Sequence, residues 1–168
     1  MRRCRTRRTR RTRRIVLATA TLLGVVILAA CGPSVPPAPP IASTPQADDL
    51  VERTNYLRSL GGQGALTVDG GMQVHAQAHA ARLAGGATTC AGALWHSPEL
   101  GSWYSGLSAA ENLACVSGCP PDAKVAFDNW VRSPLHNANQ MNGAYNYIGT
   151  AAYCNGSVMI AVGQYRSG

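Results

Sequence analysis

Residues 130–136 read Trp-Val-Arg-Ser-Pro-Leu-His, and this stretch says the most about the fold. The apolar residues just upstream recur at helical spacing, which predicts a helix over about 121–132. Ser133 and Pro134 interrupt it, because proline cannot continue a helix. A short helical stretch is expected to follow, so the segment predicts two consecutive helices with His136 in the second.

Two further helices are predicted upstream. Apolar residues at helical spacing favour helices over 47–60 and 71–83, and a Gly-Gly pair follows each of them. Residues 87–119 are rich in Gly, Ser and Trp and show little periodicity. This composition predicts a long loop with short strands near 94–96 and 112–115.

The end of the chain carries a hairpin signal. Two β-prone runs, 147–154 and 158–165, flank Asn155-Gly156, a residue pair favoured by type I′ turns. Helices come first, strands lie between and a hairpin comes last. This order predicts a mixed α+β domain with a C-terminal β-hairpin.

The basic residues are concentrated at the N-terminus. The chain of 168 residues has a formal charge of +7, and nine of its fifteen basic residues are arginines within residues 1–14. They lead directly into an apolar run over 15–30. This layout is typical of an export signal.

The apolar run ends in Leu-Ala-Ala-Cys at residues 28–31, which resembles the lipobox of bacterial lipoproteins. Sixteen apolar residues are short for a spanning helix, which needs roughly 20. We therefore predict that residues 1–30 are removed and that Cys31 is acylated; an uncleaved anchor is the alternative. Residues 12–17 also resemble a twin-arginine signal, so that route is the alternative to the Sec export we expect.

The part of the chain after Cys31 has no basic excess. Six basic side chains face eight acidic ones there, a formal charge of −2, which argues against binding to nucleic acid or anionic lipid headgroups. Residues 32–46 are rich in Pro, Ala and Ser and predict an extended tether. Residues 47–168 suit one domain with a single core.

Four cysteines remain in this domain: Cys90, Cys115, Cys119 and Cys154. An even number in a small exported domain predicts two disulfides, and the spacing leaves three connectivities open. A zinc site is the alternative, although Cys115 and Cys119 have no second closely spaced pair to complete a tetrahedron.

Several short motifs occur in the order found in one family of secreted domains. They are Asn55-Tyr-Leu-Arg58, His96-Ser97, Glu111-Asn112-Leu113, the Trp-Val-Arg-Ser-Pro-Leu-His stretch and Tyr147-Ile148-Gly149. Together they resemble the CAP superfamily, which includes cysteine-rich secretory proteins, venom antigen 5 and plant pathogenesis-related 1. The short Ser-Pro-Leu-His form is most similar to the bacterial branch.

The resemblance implies a three-layer α-β-α sandwich with a cleft lined by two histidines and two glutamates. His96, Glu111 and His136 match three of these positions. The fourth, a glutamate, falls on Ser133, so the implied tetrad becomes a triad. The resemblance also implies a disulfide from Cys90 to Cys154, which leaves Cys115 to pair with Cys119.

The triad admits three interpretations. Two imidazoles and a carboxylate are suitable zinc ligands, although no cofactor is required. A histidine beside a carboxylate can also act as a general base in hydrolysis of a peptide, ester or glycan. Alternatively, the three residues are structural and satisfy hydrogen bonds in the interior.

Other chemistry-bearing residues carry weaker signals. His75 and His79 have the i, i+4 spacing of a zinc peptidase helix, but Ala76 stands where that motif needs a glutamate, so we expect His79 to be packed and His75 exposed. No serine lies in a Gly-x-Ser-x-Gly elbow. The serines considered as nucleophiles are Ser97, Ser102, Ser105 and Ser133.

Aromatic residues near the long loop suggest a second kind of ligand. Trp95, Trp103 and Tyr104 could line an apolar groove, and some CAP members bind sterols or fatty acids. We therefore predict a lipid-anchored binding module on the extracytoplasmic face of a bacterial membrane, with a metal or a lipid-like molecule as ligand. The alternatives are an envelope hydrolase and a disulfide-braced scaffold for an envelope protein partner.

Overall fold

The computed structural model describes residues 44–168. The export signal, Cys31 and the tether up to residue 43 lie outside this range. The helices are α1 (Pro45–Leu60), α2 (Gly70–Ala84), α3 (Leu100–Trp103), α4 (Lys124–Arg132) and α5 (Pro134–Met141). The strands are β1 (Thr67–Val68), β2 (Ala109–Ser117), β3 (Tyr147–Cys154) and β4 (Val158–Arg166). Among the described residues, no helix has the length and apolar character needed to cross a bilayer.

One mixed sheet separates two helical layers. Its strand order is β1-β3-β4-β2, with β1 parallel to β3 and the other neighbours antiparallel. On one face, α2 packs against β3 and β4 over apolar residues such as Leu83 and Ile160. On the other face, α1 and α4 cover a cluster around Leu50 and Trp130. The expected α+β fold and three-layer arrangement are confirmed.

Helix α1 begins two residues before the expected position. Thr44 caps it by accepting a hydrogen bond from the Ala47 amide, and Pro45 occupies the first turn, where its missing N–H costs nothing. Pro45 and Gln46 therefore belong to the domain and not to the tether.

Arg58 is buried in the interior on the inner face of α1. Its guanidinium donates to the carbonyl oxygens of Gly64 at 2.7 Å, Gln140 at 2.7 Å and Asn142 at 2.9 Å, with a longer bond of 3.4 Å to Tyr145. Burial lowers the pKa of this guanidinium. The carbonyls replace the water that the cation loses, so the side chain joins α1 to the end of α5.

The helix pair around residues 130–136 is confirmed. Ser133 ends α4 in an extended conformation with ψ 116°, as expected of a residue that precedes proline, and Pro134 opens α5. Helix α2 also matches its expected bounds within one residue, and its apolar stripe is buried.

The hairpin is confirmed, but its turn is not type I′. Three residues, 155–157, connect the strands, and only Gly156 has a positive φ, at 95°, whereas a type I′ turn needs two such residues. Asn155 instead uses its side chain: Oδ1 accepts from the amides of Ser157 and Val158. These bonds stabilise the longer turn.

The segment 85–108, between α2 and β2, differs most from expectation. The strand predicted near residues 94–96 is absent from the described structure, and α3, a single helical turn, was not predicted. Periodicity gives no signal for a helix of four residues, because one turn shows no repeat. The second predicted strand, near 112–115, lies within the longer β2.

Both disulfides form, but the pairing implied by the family resemblance is wrong. Cys90 is joined to Cys115 and Cys119 to Cys154, with Cα–Cα distances of 5.5 and 5.7 Å. Side chains alternate along β2, so Cys115 points with Leu113 towards the α2 face, where Cys90 lies. All four sulfurs are thus in disulfides, so none is a thiolate that could bind zinc, and the zinc alternative for the cysteines is wrong.

Candidate functional site

Glu111 lies at the centre of a polar cluster on the α2 face of the sheet. Its side chain is 0% exposed although it carries a carboxylate. Oε1 accepts from the Ser97 amide at 2.9 Å and contacts Nδ1 of His96 at 3.0 Å, while Oε2 accepts from Nε2 of Gln164 at 2.9 Å. Three N–H groups thus replace the water that this buried carboxylate has lost.

Gln164 is a site residue that the sequence analysis missed. It stands directly opposite Glu111 in the pairing of β2 with β4. Its Oε1 accepts from the hydroxyl of Tyr104 at 3.1 Å, and the same hydroxyl oxygen lies 3.2 Å from Nδ1 of His75. A chain of hydrogen bonds therefore runs from Glu111 to His75. The sequence gives little indication of this role, because Gln164 is one polar residue within a buried apolar strand.

His96 is the exposed member of the cluster. Its side chain is 65% exposed, and Nδ1 faces the buried carboxylate of Glu111. Since the carboxylate oxygen is an acceptor, Nδ1 donates the proton, which leaves the lone pair of Nε2 pointing away from Glu111. Glu111 therefore fixes both the orientation and the tautomer of the ring.

His136 lies in α5 and is linked to β2 through its backbone. It is half-buried in α5, and both burial and the nearby charge of His96 lower its pKa. Its backbone carbonyl accepts from Nδ2 of Asn112 at 2.9 Å, and Asn139 donates to the other end of that amide at 2.9 Å. The Glu-Asn pair in β2 thus contacts both histidines. Glu111 binds the ring of His96, and Asn112 binds the backbone of His136. The sequence motif includes Asn112 but does not predict this contact with His136.

Ser133 stands where the family resemblance implies a second glutamate. It lies at the junction of α4 and α5, where its carbonyl accepts from the amide of Asn137 at 2.8 Å. Of the four positions implied by the resemblance, only Glu111 carries a carboxylate. A neutral hydroxyl in place of an acid leaves this cleft with less negative charge than the tetrad implied by the resemblance.

His75 and His79 do not act as a pair. His79 is fully buried, with Nε2 donating to the Trp95 carbonyl at 2.9 Å and lying 3.8 Å from Glu111 Oε1. His75 is half-buried rather than exposed: its ring stacks on Trp103 at 4.0 Å, and burial lowers its pKa. The two rings therefore bind different partners, and the zinc peptidase interpretation has no support.

Two of the four candidate serines, and one of the candidate aromatics, are engaged within the domain. Ser97 is buried, and its hydroxyl donates to Oε2 of Glu99 at 3.0 Å, while the Ser102 hydroxyl donates to the Glu99 carbonyl at 2.8 Å. Tyr104 is only 7% exposed, so it does not line an open groove. Neither hydroxyl faces His136 as a nucleophile would need to.

A three-ligand zinc site does not fit this cluster. Within residues 44–168, no group of three or more His, Cys, Asp or Glu side chains is arranged to hold a metal ion. Both oxygens of Glu111 are already occupied by N–H donors. What the structure does show is Glu111 behind His96, a contact to one ring nitrogen of the kind common at metal-binding histidines.

Comparison with known families agrees with this architecture. Residues 51–165 match the model of the cysteine-rich secretory protein family, CAP. The chain belongs to the CAP family. The match covers more than half of the chain and includes His96, Glu111 and His136. No curated protein matches the chain by sequence.

Solved structures of CAP-like proteins share the fold. An outer surface protein of Borrelia burgdorferi has a TM-score of 0.56 and 18% identity, over 76% of this chain and 96% of that one. NaASP2, in a structure determined with Zn²⁺, has a TM-score of 0.55 and 17% identity, over 76% and 82%. A cysteine-rich secretory protein of Staphylococcus aureus has a TM-score of 0.50 and 17% identity over 73% of this chain, which spans only 39% of the staphylococcal chain.

Proposed function

We propose that this CAP-domain protein is an extracytoplasmic binding module whose cleft takes up a divalent metal ion such as zinc. The observation that carries the proposal is the 3.0 Å contact between Nδ1 of His96 and the buried carboxylate of Glu111. Histidines that ligate metals usually donate their other ring N–H to a carboxylate or carbonyl, which fixes the ring and raises its basicity. His136, half-buried nearby, would supply a second imidazole.

The surroundings of Glu111 favour binding over hydrolysis. A general base must come within hydrogen-bond reach of the water that it activates. The Glu111 side chain is 0% exposed, and its two oxygens already accept from three N–H groups. With Ser133 at the position of the second acid, the matched family positions offer no second carboxylate, and the exposed ring among them is that of His96.

Two imidazoles leave positions open around a metal ion. Zinc prefers four ligands, so the remaining positions would be filled by water or by an added ligand. A bound zinc ion supplies a positive charge that attracts anionic groups. One similar structure, that of NaASP2, was determined with Zn²⁺. At 17% identity this likeness concerns the fold, and the chemistry of His96 and His136 carries the proposal.

Zinc titration of the full chain by calorimetry tests the proposal. We expect stoichiometric binding that is lost when His96 and His136 are both replaced by alanine. Glu111→Gln should weaken binding about 10–100-fold, because the amide cannot hold the His96 tautomer in the same way. Glu52→Gln is the matched control, since Glu52 is exposed on α1.

Two results would contradict the proposal. Stoichiometric zinc binding by the double variant would mean that the ion binds elsewhere. Turnover of a peptide, ester or glycan that disappears in Glu111→Gln would instead favour the hydrolase. A lipid ligand stays a prediction, because Trp103 and Tyr104 contact His75 and Gln164 rather than lining an open groove. A protein partner also stays a prediction.

We further propose that the domain is anchored to the outer face of a bacterial membrane through Cys31. Two disulfides support an oxidising compartment outside the cytoplasm. The support for the lipid is the Leu-Ala-Ala-Cys sequence at residues 28–31. Cys31→Ala should shift the protein from the membrane fraction to the medium or the soluble fraction. Unchanged sedimentation with membranes would mean that another segment holds it.

A further inference from the structure

A pocket of about 300 Å³ opens between the C-terminal half of α2 and residues 86–95, outside the His96–His136 cleft. We call it the α2 pocket. Its functional groups come from Arg82, Thr88, Thr89 and Trp95, and most of the remaining wall consists of glycines and alanines. The volume lies at the lower end of the range for small-molecule sites, about 300–1,000 Å³.

The wall of the α2 pocket is held from two sides. The disulfide from Cys90 to Cys115 ties it to β2. From the hairpin turn, Nδ2 of Asn155 donates to the carbonyls of Ala84 at 2.6 Å and Ala87 at 2.7 Å. A loop without regular structure is thus fixed before any ligand arrives, which lowers the entropic cost of binding.

Trp95 stands at the rim in a fixed position although its side chain is exposed. The residue is 44% exposed. Its carbonyl accepts from His79, and its ring meets the His79 ring edge-to-face at 4.9 Å between centroids. Trp95 is therefore anchored to the core through His79, while part of its indole stays exposed beside Arg82.

The charge of the α2 pocket is balanced. Nη1 of Arg82 donates to Oε1 of Glu99 at 3.1 Å, and the guanidinium lies 5.3 Å from the centre of the Trp95 ring. Because Glu99 neutralises the only charged wall residue, the pocket does not select an anion. Thr88 and Thr89 add two exposed hydroxyls, each able to donate and to accept.

We propose that the α2 pocket binds a neutral sugar ring. A pyranose presents C–H groups on one face and hydroxyls around its edge. The C–H face suits the exposed indole of Trp95, as amphipathic aromatic rings suit ligands that are apolar on one side. The hydroxyls suit Thr88, Thr89 and the remaining N–H groups of Arg82. This site is separate from the zinc proposal and does not depend on it.

Saturation-transfer difference NMR on the full chain, in a detergent without a sugar headgroup, tests the proposal. The probes are the trimer of N-acetylglucosamine, maltotriose and the acidic sugar glucuronic acid. We expect transfer to the ring protons of at least one neutral trisaccharide. Trp95→Ala should weaken its binding about tenfold, and Thr89→Val should weaken it less. Trp103→Ala is the matched control, since this indole stacks on His75 outside the pocket.

The outcomes separate the possibilities. Transfer to a neutral sugar that depends on Trp95 and Thr89 but not on Trp103 supports the proposal. If Trp95→Ala loses its thermal transition, the Thr89→Val result decides, because Thr89 is exposed and its replacement leaves the core untouched. No transfer to either trisaccharide, equal transfer in Thr89→Val, or stronger binding of glucuronic acid would overturn the proposal.

Discussion

The hairpin of β3 and β4 and the segment 85–108 are held by different kinds of interaction. Strand β4 pairs with β3 on one side and β2 on the other, and residues 158–165 are all buried. The segment 85–108 contains only the single turn of α3 and is fixed by side chains: the Cys90–Cys115 disulfide, Glu99 with Arg82, and the bonds to Glu111. One region is stabilised by backbone pairing, the other by individual cross-links.

This difference explains where the candidate chemistry lies. Trp95 and His96 belong to the segment 85–108, where the chain can turn side chains towards a cleft or a pocket. The hairpin contributes the rigid surface on which the segment rests, and Gln164 reaches Glu111 from it. Loops that carry function on a rigid scaffold are common in proteins. Changes in the hairpin should therefore unfold the domain, whereas changes in the segment should alter single functions.

The largest effect is expected at Gly149, in β3. A Cβ added there would lie 2.6 Å from the amide nitrogen of Gln73 and would also overlap Met72, so α2 would have to move away from the sheet. We expect Gly149→Val to lower the free energy of unfolding by about 4 kcal/mol. Urea unfolding measures this loss. Gly101→Ala, in α3, is the control, because nothing lies within 4 Å of its added Cβ. An equal loss of unfolding free energy in both variants would contradict the contrast between the hairpin and the segment 85–108.

The next largest effect is expected from the cross-link of the segment. Replacing Cys90 and Cys115 together by serine should lower the free energy of unfolding by about 3 kcal/mol, because the unfolded chain gains conformational freedom. The loss should vanish when wild type and variant are compared under reducing conditions. Peptide mapping of the variant should still recover Cys119 joined to Cys154. Recovery of both as single thiols would instead favour the pairing implied by the family resemblance.

A smaller effect is expected where the two regions meet, at the Tyr104 hydroxyl. Tyr104→Phe leaves Oε1 of Gln164 buried without its donor. The expected loss in the free energy of unfolding is about 1 kcal/mol, and zinc affinity should fall because Gln164 orients Glu111. Tyr153→Phe removes a hydroxyl from a ring that is 46% exposed, and it should change neither quantity. If the two variants have the same free energy of unfolding and the same zinc affinity, the hydrogen-bond chain contributes to neither quantity.

The smallest effect is expected on acidification. Burial, followed by the charge of His96, lowers the pKa of His136 below its ordinary value of 6.5. The unfolded chain then binds more protons, so the stabilising contribution of neutral His136 is present above pH 6.5 and is lost as the pH falls through the folded pKa. His75 acts in the same direction. Urea midpoints at about pH 7.5 and about pH 5 should differ less in His136→Gln than in wild type; an equal difference would contradict this.

The sequence predicted those parts of the fold that repeat. Helix α2, the α4–α5 pair and both hairpin strands follow from periodicity and from the breaks at Pro134 and Gly156, because regular structure imposes a repeat on side chains. The disulfide pairing was missed because it depends on which face of β2 Cys115 occupies. A shift of one residue along a strand reverses that face, and no local pattern records it.

The candidate site was predicted in part. The family resemblance led to His96, Glu111 and His136; the structure joins His96 to Glu111 and ties the backbone of His136 to Asn112, the next residue of β2. Gln164 was missed as a partner of Glu111, and Tyr104 as a partner of Gln164, since single polar residues in an apolar strand or an irregular loop show no spacing pattern. His79 was expected to be packed and is fully buried, whereas His75 was expected to be exposed and is half-buried on Trp103.

The buried Arg58 also bears on the order in which the domain can form. Its guanidinium acceptors at Gln140, Asn142 and Tyr145 lie 82, 84 and 87 positions later in the chain. Helix α1 precedes these carbonyls in the chain, and a cation buried without them would be strongly unfavourable. Docking of α1 is therefore favoured only once the residues up to Tyr145 are present. A product that stops before residue 140 should stay unfolded and be open to proteolysis.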